Sequence, residues 1–137
     1  GLVNLHRAIA TLRGVDAQPH PADAITAAAL AQQTPIAIET ANVFCGWLGA
    51  ALGDLALTYG AQGGIYLAGG VLPQMKDLVA RSAFVERFLD KGAMREVLAR
   101  TPVRLVEHAQ LGVIGAASWY FARHPIGHIE TREQSHA

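Results

Sequence analysis

The sequence predicts an α/β domain that is rich in helices and contains a short parallel sheet. Two short β-favouring segments, at 65–68 and 103–107, lie between stretches with helical periodicity. The order helix, strand, helices, strand, helix is typical of parallel strands joined by right-handed crossovers. With 137 residues, the chain is long enough for one hydrophobic core and too short for two independent domains. We expect one folded body over residues 1–123 and a flexible polar tail over 124–137.

Composition and charge exclude several kinds of partner. Lys and Arg total 11, as do Asp and Glu, so the chain has no cationic field that would hold nucleic acid or an anionic membrane surface. Hydrophobic residues make up 51%, yet no stretch approaches the ~20 uninterrupted apolar residues of a bilayer span. Cys45 is the single cysteine, which excludes an intrachain disulfide, and its apolar neighbours predict a small buried side chain. We therefore expect a soluble, cytoplasmic protein.

Helical periodicity begins almost at once. Apolar side chains recur at spacings of three and four from Leu2 to Leu12, and Gly14 is placed to end that helix. The segment VDAQPHPAD has two prolines and no periodicity, so it predicts a surface loop before an Ala-rich helix over about 22–32. Thr34, followed by a proline, then predicts the N-cap of a third helix.

The third helix, over 35–59, is predicted to be the spine of the domain. Only two ionisable residues occur between positions 35 and 58, and a helix with so few charges is normally covered on more than one side. Gly46, Gly49 and Gly53 each disfavour a helix by about 1 kcal/mol relative to Ala, so we expect them to permit close packing of a partner element. We place six apolar residues on the inner side of this helix: Phe44, Trp47, Leu48, Ala51, Leu52 and Leu55.

The two predicted strands provide the candidate site. Residues 65–68 are apolar, too few for a helix and flanked by glycines, so we interpret them as a buried strand, and Pro102 precedes the second strand. Gly69 and Gly70 follow the first strand. A glycine pair at the carboxyl end of a parallel strand places backbone N–H groups where a nucleotide or anionic ligand can lie close. The alternative is a plain tight turn, because two adjacent glycines are a much weaker signal than a full phosphate loop.

Four helices are predicted after the first strand. A proline predicts the start of a helix over 72–81, and the phrases SAFVERFLDKG and AMREVLAR predict two short helices separated by Gly92. The last apolar helix covers about 110–123 and is ended by His124 and Pro125.

Other candidate groups have both a functional and a structural interpretation. Asp54 lies near the end of the third helix, so it either faces the same ligand or bonds to a nearby helix N-terminus. His108 follows the second strand and either approaches the pocket or is a satisfied strand-end histidine. His6 and Arg7 are interpreted as surface groups, and the charged residues of 86–96 as solvated faces of amphipathic helices.

No metal site or catalytic group is predicted. His124 and His128 are four residues apart, but Pro125 and Gly127 prevent the helix that would bring both imidazoles to one zinc ion. The sequence has no nucleophile elbow, no poised pair of carboxylates and no Walker lysine.

Four phrases of the sequence resemble the carboxyl-terminal part of bacterial glucokinase, an ATP-dependent sugar kinase of the hexokinase, actin and Hsp70 superfamily. They are GLVNLHRAI, LGDLALTYGAQGGIYLAGGVLPQ, SAFVERFLDKGAMREVLARTPVRLVEH and LGVIGAA, which together cover nearly all of residues 1–123. The family typically has GGxxxAGG followed by a proline, which residues 63–70 match here. Its F-x-x-K-G phrase is matched by Phe88, Lys91 and Gly92.

The resemblance implies a fold and a ligand. The fold is the helix-rich part of the large domain of an actin-like ATPase (ribonuclease H-like), with a short parallel sheet. GGxxxAGG is the family's adenosine motif, so Gly69 and Gly70 are expected in the wall beside the ATP adenosine, with Val71 and Gln74 as neighbours. Many relatives have H-x-N-P-G after the last strand, where this chain has HAQLG, so no ligand contact is carried over to 109–111.

The resemblance also implies what the chain lacks. In the family an Asn-Asp pair, an E-G-G-H segment and a further Glu bind glucose and activate its 6-hydroxyl, and none of them has a counterpart here. The phosphate loops and the amino-terminal lobe are missing as well. Phosphoryl transfer needs Mg²⁺, phosphate positioning and a base together, so we expect the chain to be inactive alone. The intact enzyme would use ATP and Mg²⁺ on D-glucose, and Gly1 is no natural start residue, so we expect a truncated protein.

We expect an unpaired strand edge to make copies of this chain associate. In the superfamily's sheet the strand at 64–69 pairs with a strand that this sequence does not contain, so we expect a homo-oligomer formed through that edge or through the long helix.

Two other functions stay open. One is a non-catalytic interaction or regulatory module with a degenerate nucleotide pocket, and the other is an unrelated α/β binding protein that shares only a glycine-flanked strand.

Overall fold

The computed structural model describes residues 1–16, 18–69, 72–107 and 110–124. Within them the elements follow the predicted order, as α1 (Leu2–Leu12), α2 (Ala22–Leu30), α3 (Pro35–Tyr59), β1 (Ile65–Leu67), α4 (Lys76–Arg81), α5 (Phe84–Leu89), α6 (Arg95–Ala99), β2 (Val103–Leu105) and α7 (Leu111–Arg123).

The chain divides into two compact units, Gly1–Glu107 and His108–Ala137. The second unit contains α7, which ends at its C-cap residue His124 as predicted. The remaining residues of the predicted tail, 125–137, lie outside the described residues. All the other elements belong to the first unit.

The first three helices begin and end close to the residues that the sequence predicts. Gly14 follows α1 with φ +66 and Gly60 caps α3 with φ +59, a left-handed conformation that glycine adopts without strain. Thr34 caps the start of α3, because its hydroxyl accepts a hydrogen bond from the Ala37 N–H at 3.3 Å. α2 ends slightly earlier than predicted, because Gln32 turns the chain with φ +53.

α3 is the central helix of the first unit. α1 and α2 pack against it around a core of Leu2, Ile25, Ala29, Ala37 and Ala41, and α5 packs against it further along. Among the described helices, α3 is the one that is long and apolar enough to cross a membrane by length and composition. Its neighbours on several sides are typical of a core helix in a folded domain.

The buried face of α3 differs in part from the predicted one. Its fully buried residues in the region of α5 are small: Cys45, Gly46, Gly49, Gly53 and Ala56. Phe44, Leu48 and Leu52 are half-buried in the core, as predicted. The prediction was wrong for Trp47, Ala51 and Leu55, which are exposed. Apolar residues lie all round this helix, so hydrophobicity alone did not identify the side that another helix approaches.

An exposed apolar row therefore runs along α3. Trp47, Ala51, Leu55 and Tyr59 recur every four residues, and we call them the α3 apolar stripe. Trp47 is 59% exposed, Leu55 49% and Tyr59 78%.

The glycines of α3 let α5 approach closely, as predicted. A Cβ at Gly49 would overlap the carbonyl oxygen of Phe84, and a Cβ at Gly53 would lie 2.6 Å from the carbonyl oxygen of Phe88. A Cβ at Gly46, by contrast, would lie 3.6 Å from its nearest neighbours, which is ordinary contact. The backbones of the two helices are therefore in direct contact at two of the three glycines.

β1 and β2 form a parallel sheet, as predicted, although both strands are shorter than expected. The register pairs each residue of Ile65–Leu67 with the corresponding residue of Val103–Leu105. The first and last side chains of each strand pack into the core beside α3. The middle residues, Tyr66 and Arg104, are exposed, and the Arg104 guanidinium lies 5.8 Å from the centroid of the Tyr66 ring.

Gly64 occupies a narrow space at the start of β1. Its φ is +117, and a Cβ there would lie 2.9 Å from both Cγ and the carbonyl oxygen of Pro102. The prediction that a glycine pair turns the chain from α3 into the strand is confirmed at this residue. Gly63 has open space around it.

Short helices connect the two strands. The helix predicted over 72–81 consists of a 3-10 turn, Leu72–Met75, followed by α4. Gly92, with φ +53, separates α5 from α6 as predicted, and begins a second 3-10 turn.

Candidate functional site

The carboxyl ends of β1 and β2 lie at the same edge of the sheet because the strands are parallel. The Leu67 carbonyl oxygen accepts a hydrogen bond from the Val106 N–H at 2.8 Å, so pairing continues to the last residue of β1. Ala68 and Gly69 follow, and both are exposed. Ligands of open parallel α/β sheets bind outside the carboxyl ends of the strands. This part of the chain is therefore the candidate site, and we call Ala68, Gly69, Gln74 and Glu107 the carboxyl edge.

Two of the four site residues predicted from the sequence lie within the described part of the chain. Gly69 and Gln74 are both exposed, so a ligand in solvent can reach them. The residue after Gln74, Met75, is fully buried and anchors its 3-10 turn in the core. Gly70 and Val71 lie outside the described residues, and their role stays a prediction.

An ion pair that sequence reasoning missed joins Glu107 of the carboxyl edge, two residues beyond β2, to the start of α4. Lys76 Nζ, at the start of α4, lies 2.7 Å from Glu107 Oε1. The hydrogen bond to Glu107 and the charge of this carboxylate raise the pKa of Lys76. Both side chains are more than half exposed, so the pair stabilises the fold only weakly. No spacing rule connects residues so far apart in sequence, so only the fold reveals this pair.

Asp54 pairs with a lysine rather than with a helix N-terminus. Its Oδ1 lies 2.6 Å from Nζ of Lys91, whose side chain is only 16% exposed. Lys91 crosses Gly53, where a Cβ would lie 2.8 Å from Lys91 Cε. The prediction of a solvated face was therefore wrong for Lys91, because the missing side chain at Gly53 makes room for its aliphatic part. Phe88 and Lys91 of the F-x-x-K-G phrase both pack on this glycine.

His6 is buried, so its interpretation as a surface group was wrong. It lies between Leu2 and Ile9 on the buried face of α1 and is 7% exposed. Its ring lies edge to face against that of His20, with 6.1 Å between the ring centroids. Burial, and then the neighbouring His20, lower the pKa of His6. The helical spacing of Leu2, His6 and Ile9 is the signal that would have predicted this burial.

Two sizeable cavities are formed by the described residues, and the second of them reaches Leu67 and Leu105 at the carboxyl ends of the strands. One, of about 420 Å³, borders His6 and His20 between α1, α2 and the start of α3. The other, of about 370 Å³, is lined mainly by apolar side chains of the sheet and of α4 to α6, among them Phe84 and Phe88. Neither cavity is lined by Gly69, so the candidate site is an exposed edge.

Among the remaining histidines, the structure describes His124, which makes its contacts within its own helix. The His124 ring stacks on Tyr120 at 4.4 Å between centroids, and its Nδ1 lies 3.1 Å from the Tyr120 carbonyl oxygen. His108 and His128 lie outside the described residues, and their interpretations stay predictions. Within residues 1–16, 18–69, 72–107 and 110–124, no group of three or more His, Cys, Asp or Glu side chains could hold a metal ion.

Comparisons with known proteins give a consistent result. The family model described as Glucokinase matches residues 1–123. A glucokinase-like protein of Xylella fastidiosa (strain Temecula1) is 52% identical over 120 residues, which cover 88% of this chain and 36% of that protein. A glucokinase of Saccharophagus degradans is 45% identical over 119 residues, which cover 87% of this chain and 37% of that protein. The chain therefore spans little more than a third of the length of these relatives.

A solved structure matches as well. The glucokinase from an Antarctic psychrotroph superposes with a TM-score of 0.77 at 41% identity, over 87% of this chain and 37% of that chain. This match confirms the predicted fold class, a helix-rich part of an actin-like ATPase domain with a short parallel sheet.

Proposed function

The chain belongs to the glucokinase family, and we propose that its carboxyl edge is part of the wall beside the ATP adenosine in an ATP-dependent glucokinase. The intact enzyme would convert ATP and D-glucose to ADP and glucose 6-phosphate. Gly69, Gly70, Val71 and Gln74 would form this wall. The chain spans about 36% of the length of its relatives, so the complete reaction would need residues beyond those of this chain.

One observation carries the proposal. Gly69 is exposed directly beyond the carboxyl end of β1, in the segment that matches the family's GGxxxAGG phrase. A ligand can lie close to backbone that carries no Cβ, and nucleotides bind outside the carboxyl ends of the strands in open parallel sheets. Gln74 is also exposed, so its amide could donate and accept hydrogen bonds with a ligand.

Mg²⁺–ATP would supply the transferred phosphoryl group and the metal charge that stabilises its transfer. The residues of this chain would bind the adenosine end of the nucleotide. Lys76, two residues beyond Gln74, would add positive charge near an anionic ligand, while Glu107 holds its ammonium group at 2.7 Å.

We further propose that the chain alone does not phosphorylate glucose. Glu107 of the carboxyl edge is paired with Lys76 beside it, so neither group is poised as a base for a sugar hydroxyl. The sugar-binding residues and the base would come from the amino-terminal lobe, which is the partner that the proposal implies.

Calorimetry on the full 137-residue chain tests this proposal. We expect Mg²⁺–ATP to bind, D-glucose alone not to bind, and no glucose 6-phosphate to form. Gln74→Glu should weaken Mg²⁺–ATP binding several-fold, because a carboxylate cannot donate the hydrogen bond that the amide offers to the adenosine and it adds negative charge near an anionic ligand. The matched control is Gln62→Glu, an exposed glutamine before β1, which should leave binding unchanged. Absence of nucleotide binding at millimolar ATP, or equal effects of both variants, would contradict the adenosine wall.

A second candidate function is a non-catalytic interaction or regulatory module that keeps a degenerate nucleotide pocket. The α3 apolar stripe favours it, because exposed apolar rows often mark interaction surfaces. The coding sequence before Gly1 separates the two candidates. A reading frame that continues upstream through an E-G-G-H segment supports the kinase, and a start codon directly before Gly1 supports the module.

We also propose that the chain self-associates in the cytoplasm when the amino-terminal lobe is absent. Ile65 and Leu67 use their backbone groups to pair with β2, since the Ile65 N–H donates to Pro102 and the Leu67 carbonyl accepts from Val106, both at 2.8 Å. In a parallel pair the intervening residue, Tyr66, directs its N–H and C=O to the other side. That edge and the α3 apolar stripe are the two surfaces through which copies would associate.

A further inference from the structure

Two histidine rings connect the loop before α2 to the buried face of α1. His6 is 7% exposed, and the His20 ring meets it edge to face with 6.1 Å between centroids. The cavity of about 420 Å³ beside both rings has room for water and a partly polar lining. A proton from solvent can therefore reach His6 without unfolding the first unit.

His20 is held by a stiff segment that continues into α2. It lies between Pro19 and Pro21, and proline fixes its own φ and restricts the residue before it. Pro21 is the N-cap of α2, and its carbonyl oxygen accepts a hydrogen bond from the Ile25 N–H at 3.1 Å. No side chain caps this helix end. The position of His20 and the first turn of α2 are therefore coupled.

The groups that face His6 determine how it responds to acid. The loop contributes Asp16 and His20, whereas the described cavity residues from α2 and α3 are uncharged. Burial, and then the neighbouring His20, lower the pKa of His6. Two imidazolium rings at this separation would also repel each other.

We propose that His6 and His20 form an acid-sensitive latch, which holds residues 18–21 and the first turn of α2 against α1 at neutral pH and releases them on acidification. The direction of this pH effect follows from the coupling between protonation of His6 and folding. Because the pKa of His6 is lowered by folding, the stabilisation by the latch is fully present above about pH 6.5, the ordinary value of histidine. It is lost as the pH falls from there through the pKa of folded His6.

NMR titration of the full chain between pH 8 and pH 5 tests the latch. We expect the His6 ring to titrate with a midpoint below pH 6.5, and the backbone amides of 18–25 to shift toward random-coil values with the same midpoint. The amides of α3 and α5 should not move in this range. A simultaneous change in α3 and α5 would indicate global unfolding and would overturn the proposal, as would amides of 18–25 that do not respond.

Substitutions distinguish the contributions of His6 and His20 to the acid response. His6→Gln should abolish the acid shift of the 18–25 amides, and the matched control His124→Gln, in the second unit, should retain it. Should His6→Gln fail to fold, His20→Gln is the deciding variant, because it should move the His6 midpoint upward toward pH 6.5. An unchanged midpoint in His20→Gln, or an acid shift that persists in His6→Gln, would contradict the latch.

Discussion

Gly46 and Gly49 are one turn apart on α3 and yet have different surroundings. At Gly46 an added Cβ would meet only side-chain atoms at 3.6 Å, whereas at Gly49 it would overlap the backbone carbonyl of Phe84. Helix propensity favours Ala over Gly by about 1 kcal/mol at either position. The difference between the two sites therefore comes from the approach of α5 and not from the helix itself.

Gly49→Ala should lower the free energy of unfolding by about 1–3 kcal/mol, because the α5 backbone must move away from α3. Gly46→Ala should leave it unchanged or raise it by up to about 1 kcal/mol. Urea denaturation of both variants measures these effects. Equal stabilities of the two variants would show that the close approach at Gly49 does not contribute to the fold.

His6 and Lys91 show why single polar residues were misplaced from the sequence. The sequence analysis placed both at the surface, because ionisable side chains are usually exposed. His6 shares a helix face with Leu2 and Ile9, so the helical period could have predicted its burial. The burial of Lys91 depends on Gly53, which is 38 positions away in sequence, and no local pattern reports such a contact.

At the scale of elements, Arg13 connects the end of α1 to α3. Its Nη2 lies 2.7 Å from Glu39 Oε1 and its Nε lies 3.1 Å from Glu39 Oε2, which is a two-point guanidinium–carboxylate contact. The hydrogen bonds from Arg13 lower the pKa of Glu39. The stabilisation by this pair is therefore present above the ordinary pKa of a glutamate and is lost as the pH falls through the pKa of folded Glu39.

Arg13→Gln should reduce stability slightly at pH 7, because the contact is exposed to solvent. The difference from the unsubstituted chain should shrink as the pH falls below the ordinary pKa of a glutamate and through the lowered pKa of folded Glu39. Thermal unfolding over a series of decreasing pH values measures this difference. A difference that does not shrink with acid would mean that Arg13 stabilises the chain by packing and not by its charge.

Element positions were predicted better than element faces. Proline, glycine and Thr34 act locally on the backbone, so the limits of α3 and the break at Gly92 could be predicted from their own residues. The faces of α3 could not, because this helix is apolar all round and the approach of α5 selects its small residues. β1 and β2 are both shorter than the segments predicted from the sequence, and they pair at only three positions.

At the scale of the whole molecule, the proposed self-association makes a distinct prediction. Sedimentation velocity should show the average mass of the chain rising with concentration. Leu55→Glu should abolish this rise if copies meet through the α3 apolar stripe, and Tyr66→Lys should abolish it if they pair through the β1 edge. Leu12→Glu, which changes an 84% exposed leucine on α1, is the control and should have no effect. A monomer at every concentration would refute both routes.

The candidate site was predicted in part. Strand order and the glycine pair located Gly69 at the exposed carboxyl end of β1, because parallel strands and their ends can be read from sequence order. The ion pair of Lys76 and Glu107 could not be predicted, because it depends on where the fold places the start of α4 relative to the segment after β2. The latch histidines likewise come from separate segments that only the packing of α1 and α2 brings together.

The tight fit of Gly64 against Pro102 affects how the two strands are aligned. Strands as short as β1 and β2 have few hydrogen bonds with which to resist sliding past one another. A larger residue at position 64 would push against the backbone that precedes β2. The contact therefore limits how far β1 can shift along β2. A ligand at the proposed site beyond Leu67 would thus be positioned in part by a residue at the other end of β1, and a change at Gly64 would shift that ligand along with the strand.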